Sequence, residues 1–202
     1  TARQTLLFSA TLPLELESLA TDLLTNPIRI EANPLNRLVS EIEERLHLVN
    51  KSSKVPALIS LLKAQDWPQV LVFISARDDA DGVARKLAKA GIAVAALHGE
   101  KDQGAREQAL ADFKAGKVRV LVATDLMARG IHVEALPVVI NLDLPANAPV
   151  YVHRIGRTAR AGQKGLALSL VCHGEAETLA AIRTLTGRAL PLEGLEGFPV
   201  TD

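Results

Sequence analysis

The sequence predicts an α/β fold in which a mostly parallel sheet is covered by helices on both faces. Short runs of Val, Leu and Ile recur from residue 69 onward, and they lack the apolar–polar alternation of a half-exposed strand. Stretches with helical apolar spacing lie between these runs. Uninterrupted apolar strands indicate burial on both faces, and their alternation with helices is typical of parallel sheets.

Five apolar runs provide the predicted strands, at residues 70–74, 92–97, 118–123, 138–142 and 166–172. A weaker alternation over residues 41–49 predicts a further strand that covers one edge of the sheet. Capping residues mark the starts of the predicted helices, and Gly or Asn-Pro follows several of their ends. The helices comprise residues 13–24, a segment around 58–62 capped by Ser52 or Ser53, residues 78–90, residues 103–115 capped by Asp102, and residues 175–186.

Composition divides the chain into four parts. Residues 1–32 hold a strand fragment at Leu6–Phe8 and a leucine-rich helix, and we expect them to be the end of a domain whose sheet lies outside this sequence. Residues 33–40 include types that favour turns, and their apolar side chains show no periodic spacing. This composition predicts a linker. Residues 41–188 form the α/β domain, and we expect the Pro- and Gly-containing tail 189–202 to be loosely attached.

Charge and apolar content narrow the class of protein. The 202 residues carry 23 basic and 23 acidic side chains, so any nucleic-acid site must be a local patch. The single cysteine, Cys172, can form no internal disulfide, which fits a reducing compartment. The apolar runs are far shorter than the roughly 20 residues that span a bilayer. The sequence therefore predicts a cytoplasmic protein without membrane contact.

The segment His153–Gly162 concentrates positive charge. Residues 144–174 contain no acid, whereas Arg154, Arg157 and Arg160 follow one another at three-residue spacing. If the segment is helical, these arginines share one face as a ladder of guanidinium groups. Such groups bind phosphate oxygens, and arginine from a second lobe can stabilise a phosphoryl group in transfer. The alternative is a solvated basic helix face.

A second candidate follows the predicted strand 118–123, where Thr124, Asp125 and Arg129 leave the sheet. Open parallel sheets bind ligands at the carboxyl ends of their strands. A hydroxyl, a carboxylate and a guanidinium there suit phosphate, ribose and a facing lobe, and Gly130 allows a close backbone approach. The alternative is a loop in which Asp125 caps the next helix.

A third candidate begins at His98-Gly99-Glu100 and continues with Gln103 and Arg106 at the start of the next helix. Residues three apart share a helix face, and the exposed amides of a helix start carry partial positive charge. We therefore expect contacts to nucleic-acid phosphates, which position a strand without reading its sequence. The alternative is an ordinary capped helix start with a solvated arginine.

The sequence lacks the glycine-rich loop that cradles phosphates in nucleoside triphosphatases, because Gly116-Lys117 is followed by Val118. It also lacks paired carboxylates for a metal and the Cys/His spacing of a zinc site. We expect no metal ligands in this chain, and we expect the chain alone to be unable to hold and cleave a nucleoside triphosphate in the usual way.

Six segments resemble, in order and spacing, motifs of DEAD-box RNA helicases. They are Ser9-Ala10-Thr11, Val70–Arg77, His98–Arg106, Ala123–Gly130, Asn141–Pro145 and His153–Gly162. The resemblance covers about residues 5–188, and residues 103–172 look most like the bacterial RhlE-like branch. It implies the second of two RecA-like lobes that flank a cleft, where ATP and single-stranded RNA bind across both lobes.

The resemblance also implies roles for single residues. Arg157 and Arg160 would be arginine fingers for a triphosphate that the N-terminal lobe holds with Mg²⁺, and Gly130 and His132 would also line the nucleotide site. The RNA backbone would contact Arg77, Gly99, Gln103, Arg106 and Thr124. Coupling between the lobes would involve Ser9, Thr11, Asp125, Arg129, His153 and Arg154.

Two positions depart from the family pattern. His132 stands where the family usually has an Asp that accepts hydrogen bonds from the ribose. A neutral imidazole accepts one such bond, whereas a carboxylate accepts several, so we expect weaker nucleotide-driven closure. Ala159 stands where the family often has Gly, a change that a helical backbone would tolerate.

Together these features predict the C-terminal lobe of an ATP-dependent RNA helicase that opens short duplexes or remodels RNA. Its partners would be RNA and the N-terminal lobe, with self-association through the helix at 13–24 as a further option. A DNA helicase or translocase lobe and a non-catalytic RNA-binding module are the alternatives.

Overall fold

A computed structural model of the chain describes residues 4–9, 14–30, 41–75, 77–128, 136–159 and 164–201. The chain divides into two compact units, Thr1–Pro34 and Leu35–Asp202. All candidate residues after the first motif belong to the second unit.

The first unit contains helix α1 at Leu14–Leu23. Residues 4–9 form no strand, so the predicted strand at Leu6–Phe8 is wrong, and its three side chains are exposed. A strand needs a neighbour for its N–H and C=O groups, and the described part of this unit contains no other strand. The exposed side chains of Arg29 and Glu17 form an ion pair at 3.0 Å.

The second unit is built on a parallel sheet with seven strands in the described residues. The strands are β1 (Ile42–Leu48), β2 (Val70–Phe73), β3 (Val94–Leu97), β4 (Val120–Ala123), β5 (Val138–Asn141), β6 (Gly165–Val171) and β7 (Leu192–Gly194). They lie in the order β3-β4-β2-β5-β6-β1-β7, and all paired neighbours run parallel. This arrangement confirms the predicted RecA-like α/β class.

Helices connect the strands in the described part of the second unit. They are α2 (Lys54–Ala64), α3 (Arg77–Lys89), α4 (Gln103–Lys114), α5 (Asp125–Ala128), α6 (Ala148–Ile155) and α7 (Ala176–Thr186). Short 3₁₀ helices at Lys51–Ser53 and His173–Glu175 precede α2 and α7. None of the helices described here combines the length and apolar character that crossing a membrane requires.

Alternate side chains of β2 show how both faces of the sheet are covered. Val70 and Val72 pack with α2 and α3, whereas Leu71 and Phe73 pack with α4. A third apolar cluster joins β1 and β6 to α6 and α7. Burying one large apolar side chain stabilises a fold by about 1.5–3 kcal/mol. The uninterrupted apolar runs of the sequence therefore reflect burial on two faces.

Two helix starts differ in how they are capped. The Asp102 carboxylate accepts a hydrogen bond from the backbone N of Ala105 at 2.8 Å, which confirms the predicted cap of α4. Ser53 precedes α2, but its side chain makes no capping hydrogen bond. The first residue of α2, Lys54, is instead buried beside two carboxylates.

Two expectations about one edge of the sheet are wrong. Residues 41–49 were expected to form the edge strand, and residues 189–202 were expected to be a loosely attached tail. β7 pairs in parallel with Leu46–Leu48, so β1 lies inside the sheet. The Asn50 side-chain amide donates to the Thr201 hydroxyl at 3.0 Å. Because β7 is exposed and joins through backbone pairing, it carries none of the apolar pattern that marks the other strands.

Candidate functional site

Several of the described candidate residues in the second unit lie near the carboxyl ends of four neighbouring strands. In sheet order these strands are β3, β4, β2 and β5, and their carboxyl ends share one side of the sheet because they run parallel. The segments at these ends are His98-Gly99, Thr124-Asp125, Ser75, and Asn141–Leu144, which begins at the last residue of β5. The topology therefore assembles one polar layer from segments that are far apart in the chain.

The guanidinium of Arg154 is buried in this layer, and the residue is only 1% exposed. Its Nε and Nη2 donate to the two carboxylate oxygens of Asp125, at 2.6 and 2.8 Å. Its Nη1 donates to Asn141 Oδ1 at 3.2 Å and to the backbone O of Asp143 at 2.6 Å. One side chain of α6 thus binds the ends of both β4 and β5.

The groups around Arg154 are themselves held in place. The Asn141 amide N donates to Ser169 Oγ at 3.0 Å, which leaves the amide O for Arg154. The guanidinium carbon lies 5.0 Å from the centre of the Phe73 ring, so a cation–π contact supports the charge from the β2 side. The sheet therefore fixes both the acceptors and the surface beneath the guanidinium.

Tyr151 anchors α6 to β1. Its hydroxyl donates to Glu44 Oε2 at 2.6 Å, and Glu44 also pairs with Arg188. Burial raises the pKa of Tyr151 to about 12. The phenol therefore stays protonated and keeps this donor over the whole physiological pH range.

The Arg154–Asp125 pair matters energetically chiefly through what the loss of the carboxylate would cost. Transfer of each ion from water costs several kcal/mol, and their attraction offsets this only with good geometry and further hydrogen bonds. The bidentate pair and the two neutral acceptors provide both. Removal of Asp125 would leave the Arg154 charge buried and uncompensated, which is far more destabilising than loss of a surface pair.

The arginine ladder required a helix through all three arginines, and the structure does not meet that condition. Helix α6 ends at Ile155, and Ala159 has a φ of +54°, so the backbone beyond the helix is not helical. Arg154 is buried, whereas Arg157 follows the helix and is half-buried. Arg160 lies outside the described residues. Three-residue spacing places side chains on one face only while the backbone stays helical.

The turn after α6 is held against Leu136, which precedes β5, and against the start of β6. The backbone N of Leu136 donates to Arg157 O at 3.2 Å, and the Thr158 hydroxyl donates to Leu136 O. A Cβ added to Gly165 would overlap the Thr158 side chain and the Ala159 backbone N. The left-handed φ of Ala159 favours Gly, so the expectation of a tolerant helical backbone there is also wrong.

A second patch lies at the ends of β3 and β4. Gly99 and Gln103 are exposed, Arg106 is half-buried, and Thr124 is 9% exposed. Arg106 Nη1 lies 3.5 Å from Met127 Sδ, which connects α4 to α5. Arg106 Nε is buried and has no hydrogen-bond partner among the described residues. The structure therefore brings together four of the residues predicted to contact RNA.

His98 fixes the turn that carries Gly99. The residue is 4% exposed, and its Nε2 lies 2.9 Å from Asp81 Oδ2. Lys101 Nζ lies 3.3 Å from the other oxygen of Asp81. Burial acts to raise the pKa of Asp81, but the hydrogen bonds from His98 and Lys101 outweigh it and hold that pKa below its usual range. The charged carboxylate therefore ties the turn to α3.

The remaining predicted residues are placed only in part. Ser9 and His153 are exposed, and Arg77 begins α3 although the structure does not describe its side chain. The predicted residues outside the described part of the chain are Thr11, Arg129, Gly130, His132 and Arg160. Within the described ranges, no group of three or more His, Cys, Asp or Glu residues is arranged to hold a metal ion.

Four residues that belong to the polar layer or contact it were not predicted as site residues. They are Lys54, Asn141, Asp143 and Glu175. Asn141 and Asp143 belong to a segment that resembles a helicase motif, and that resemblance was the available signal. Lys54 and Glu175 are single charges near helix starts, and nothing in the local sequence distinguishes them from solvated residues.

We predict that Asp125→Asn lowers the free energy of unfolding of the chain by about 3 kcal/mol, because Arg154 stays buried without its counter-charge. The matched control is Glu43→Gln, which removes a carboxylate from an exposed pair with Arg45 and should cost no more than about 1 kcal/mol. Urea unfolding of the three proteins measures both differences. Equal losses in the two variants would contradict the proposed importance of the buried pair.

The chain is similar to known proteins over the part that contains most of these residues. The helicase conserved C-terminal domain family matches residues 53–162. The ATP-dependent RNA helicase RhlB of Pseudomonas syringae pv. tomato is 38% identical over 191 residues, which cover 95% of this chain and 48% of the relative. The chain thus spans about half the length of that curated relative. Because this bacterial relative is an RhlB protein, the expected RhlE-like branch is not confirmed.

Solved structures show the same lobe. A DEAD box protein from the hyperthermophile Methanococcus jannaschii has a TM-score of 0.72 and 38% identity, with 94% of this chain and 50% of that chain covered. Saccharomyces cerevisiae Dbp5 bound to RNA and ADP BeF3 has a TM-score of 0.81 and 29% identity, with 93% and 50% covered. On the family match, the parallel sheet and the arranged motifs, this chain belongs to the helicase C-terminal domain family as a C-terminal lobe of the DEAD-box RNA helicase type.

Proposed function

We propose that this lobe works within a two-lobed ATP-dependent RNA helicase, where it completes an ATP site and a single-stranded RNA site that the N-terminal lobe begins. The observation that carries the proposal is the different placement of two motif arginines. Arg154 is consumed by a buried pair with Asp125, whereas Arg157 follows on a turn fixed by backbone hydrogen bonds. Arg154 thus holds α6 against the ends of β4 and β5, and the half-buried Arg157 lies on the turn that follows this helix.

For the nucleotide, we assign Arg157 and Arg160 as the groups that stabilise charge on the transferred phosphoryl group. A guanidinium suits this task because it is always charged and presents several donors to phosphate oxygens. Arg157 is half-buried, and a backbone hydrogen bond to Leu136 holds its turn. This supports the assignment, because a cation that is already held in place loses less entropy when it binds phosphate. Gly130 and His132 are proposed to line the same site, with Mg²⁺ held mainly by the N-terminal lobe.

For RNA, we propose that the patch at the ends of β3 and β4 binds backbone phosphates. The half-buried Arg106 and the exposed Gly99 turn support this, because a guanidinium and an accessible stretch of backbone lie at this patch. Gln103, at the start of α4, adds an exposed amide close to the helix amides. Thr124 and Arg77 complete the proposed contacts. Contacts of this kind position RNA without selecting its sequence.

We propose that residues on both lobes couple the closure of the lobes to ATP binding. Asp125 and Arg154 bind each other, so they would transmit closure by holding α5 and α6 together. His153 is exposed beside Arg154 on α6 and would contact the facing lobe, together with Arg129. Ser9 and Thr11 would act from the N-terminal lobe.

The proposed division of the chain follows from these roles. Residues 1–32 would close the N-terminal lobe, 33–40 would link the lobes, and 41–188 would be the C-terminal lobe. The exposed Leu6 and Phe8 support the first assignment, because a missing sheet would cover them. Pairing of two copies through α1 is the competing explanation. The chain alone would hydrolyse no ATP, and the full-length enzyme would act in the cytoplasm.

Two other functions compete with this proposal. A DNA helicase lobe would share the fold, and comparison of RNA and DNA as stimulators of ATP hydrolysis by the full-length protein separates the two. His132 specifically favours a module that binds RNA without ATP coupling, because it replaces the carboxylate of the family pattern. RNA affinity that ignores ATP in the full-length protein would support that module.

We predict that Arg157→Ala lowers the kcat of RNA-stimulated ATP hydrolysis in the full-length protein by about 1,000-fold, the lower range for loss of an arginine finger. Arg85→Ala, at an exposed arginine on α3, serves as the control and should keep kcat within twofold. Steady-state hydrolysis with saturating poly(U) RNA measures both. If Arg157→Ala retains more than a tenth of the activity, Arg157 is not a finger.

We predict that Arg106→Ala weakens single-stranded RNA binding equally for all sequences and removes one phosphate contact. The slope of log affinity against log salt should become shallower by about 0.7, the value for one phosphate on a single strand. Lys114→Ala, in the last turn of the same helix, should leave the slope unchanged. Fluorescence anisotropy titrations at several salt concentrations give the slopes, and an unchanged slope for Arg106→Ala would exclude the contact.

We predict that His132→Asp lowers the ATP concentration needed for half-maximal RNA-stimulated hydrolysis, because a carboxylate accepts more ribose hydrogen bonds than a neutral imidazole. His173→Asp makes the same chemical change at an exposed residue and should have no effect. Both variants are made in the full-length protein. An unchanged half-maximal concentration for His132→Asp would show that residue 132 does not limit nucleotide binding.

A further inference from the structure

Lys54 is a buried lysine outside the motifs that resemble the helicase family. It begins α2, and its side chain is 5% exposed. Its Nζ lies 2.7 Å from Glu175 Oε2 and 3.3 Å from Asp143 Oδ1. A lysine this buried is costly unless its charge is paired, and here two carboxylates face it.

Glu175 connects this lysine to the chain after β5 and after β6. Its Oε1 accepts a hydrogen bond from the backbone N of Leu144 at 2.8 Å. Its Oε2 accepts another from the backbone N of Cys172 at 2.9 Å. The oxygen that faces Lys54 therefore also holds the end of β6, and the second oxygen holds the segment that follows β5.

Asp143 connects the same lysine to the buried guanidinium. Its Oδ2 accepts from the backbone N of Ser75 at 3.2 Å, while its Oδ1 faces Lys54. Its backbone O accepts from Arg154 Nη1 at 2.6 Å. A single residue thus presents its side chain to Lys54 and its backbone to Arg154.

We propose that Lys54 is a positioning residue for the arginine site: through Asp143 and Glu175 it holds the 142–144 segment where its backbone receives Arg154. This role rests on the proposed function, since the positioned α6 leads to Arg157. The lysine charge is required because an uncharged side chain of equal volume could fill the space but could not hold two carboxylates at once. Lys54 acts only through these residues and touches no ligand.

The first test uses RNA-stimulated ATP hydrolysis by the full-length protein. Lys54→Met, which keeps volume but removes the charge, should lower kcat at least tenfold at a temperature where the protein is fully folded, with the KM for poly(U) RNA unchanged. Lys54→Arg should recover kcat to within threefold of wild type. Lys63→Met, at an exposed lysine in the last turn of α2, is the matched control and should change neither constant.

A second variant covers the case in which Lys54→Met fails to fold. The double variant Lys54→Met with Glu175→Gln removes one charge of each sign, so no buried carboxylate of Glu175 is left uncompensated. It should fold and show the same selective loss of kcat. A folded single or double variant that keeps kcat within twofold would overturn the proposal, as would a loss of kcat accompanied by an equal rise in the KM for RNA.

A third measurement needs no enzymatic activity and therefore separates this proposal from the proposed function. In ¹⁵N-arginine-labelled full-length protein, the Nε–H signal of Arg154 is identified by its loss in Arg154→Lys. Lys54→Met should shift that signal and speed its exchange with water, whereas Lys63→Met should not. An unchanged signal would overturn the positioning role even if the protein hydrolyses ATP, and a shifted signal would support it even if the protein does not.

Discussion

The bidentate pair between Arg154 and Asp125 is the constraint on which the candidate site depends. It joins the ends of β4 and β5 through one buried guanidinium, which also binds Asn141 and the backbone of Asp143. A buried charge tolerates little displacement, because each lost hydrogen bond leaves it less compensated. Helix α6 is therefore held at one place on the sheet, and the turn that follows it carries Arg157 from a fixed backbone.

The apolar core and the polar layer have separate functions in this lobe. Val72 and Phe73 pack into apolar clusters on the two faces of β2, so helices cover the middle of the sheet on both sides. Several of the buried polar side chains that the structure describes lie near the carboxyl ends of the strands, where Lys54 and Arg154 bring positive charge. The core sets the positions of these ends, and the ion pairs fix the side chains that leave them.

The sequence predicts the part of the fold that depends on local pattern. Runs of apolar residues identify the core strands, and the Asp102 cap with helical apolar spacing identifies α4. Both signals arise within a few residues of sequence. The strand at Leu6–Phe8 and the arginine ladder fail, because strand pairing and helix length depend on the surroundings of a segment. β7 joins the sheet through its backbone alone, and the partners of Lys54 are distant in the chain, so neither feature leaves a local signal.

A crystal structure of the full-length protein with single-stranded RNA and ADP–beryllium fluoride tests the central claim most directly. The measured quantities are the distances from the Arg154 guanidinium to Asp125 and from the Arg157 guanidinium to the fluoride atoms. We expect the buried pair to be unchanged and Arg157 to lie within hydrogen-bond distance of the γ-phosphate mimic. An Arg154 that leaves Asp125 to bind the nucleotide, with Arg157 remote from it, would contradict the account.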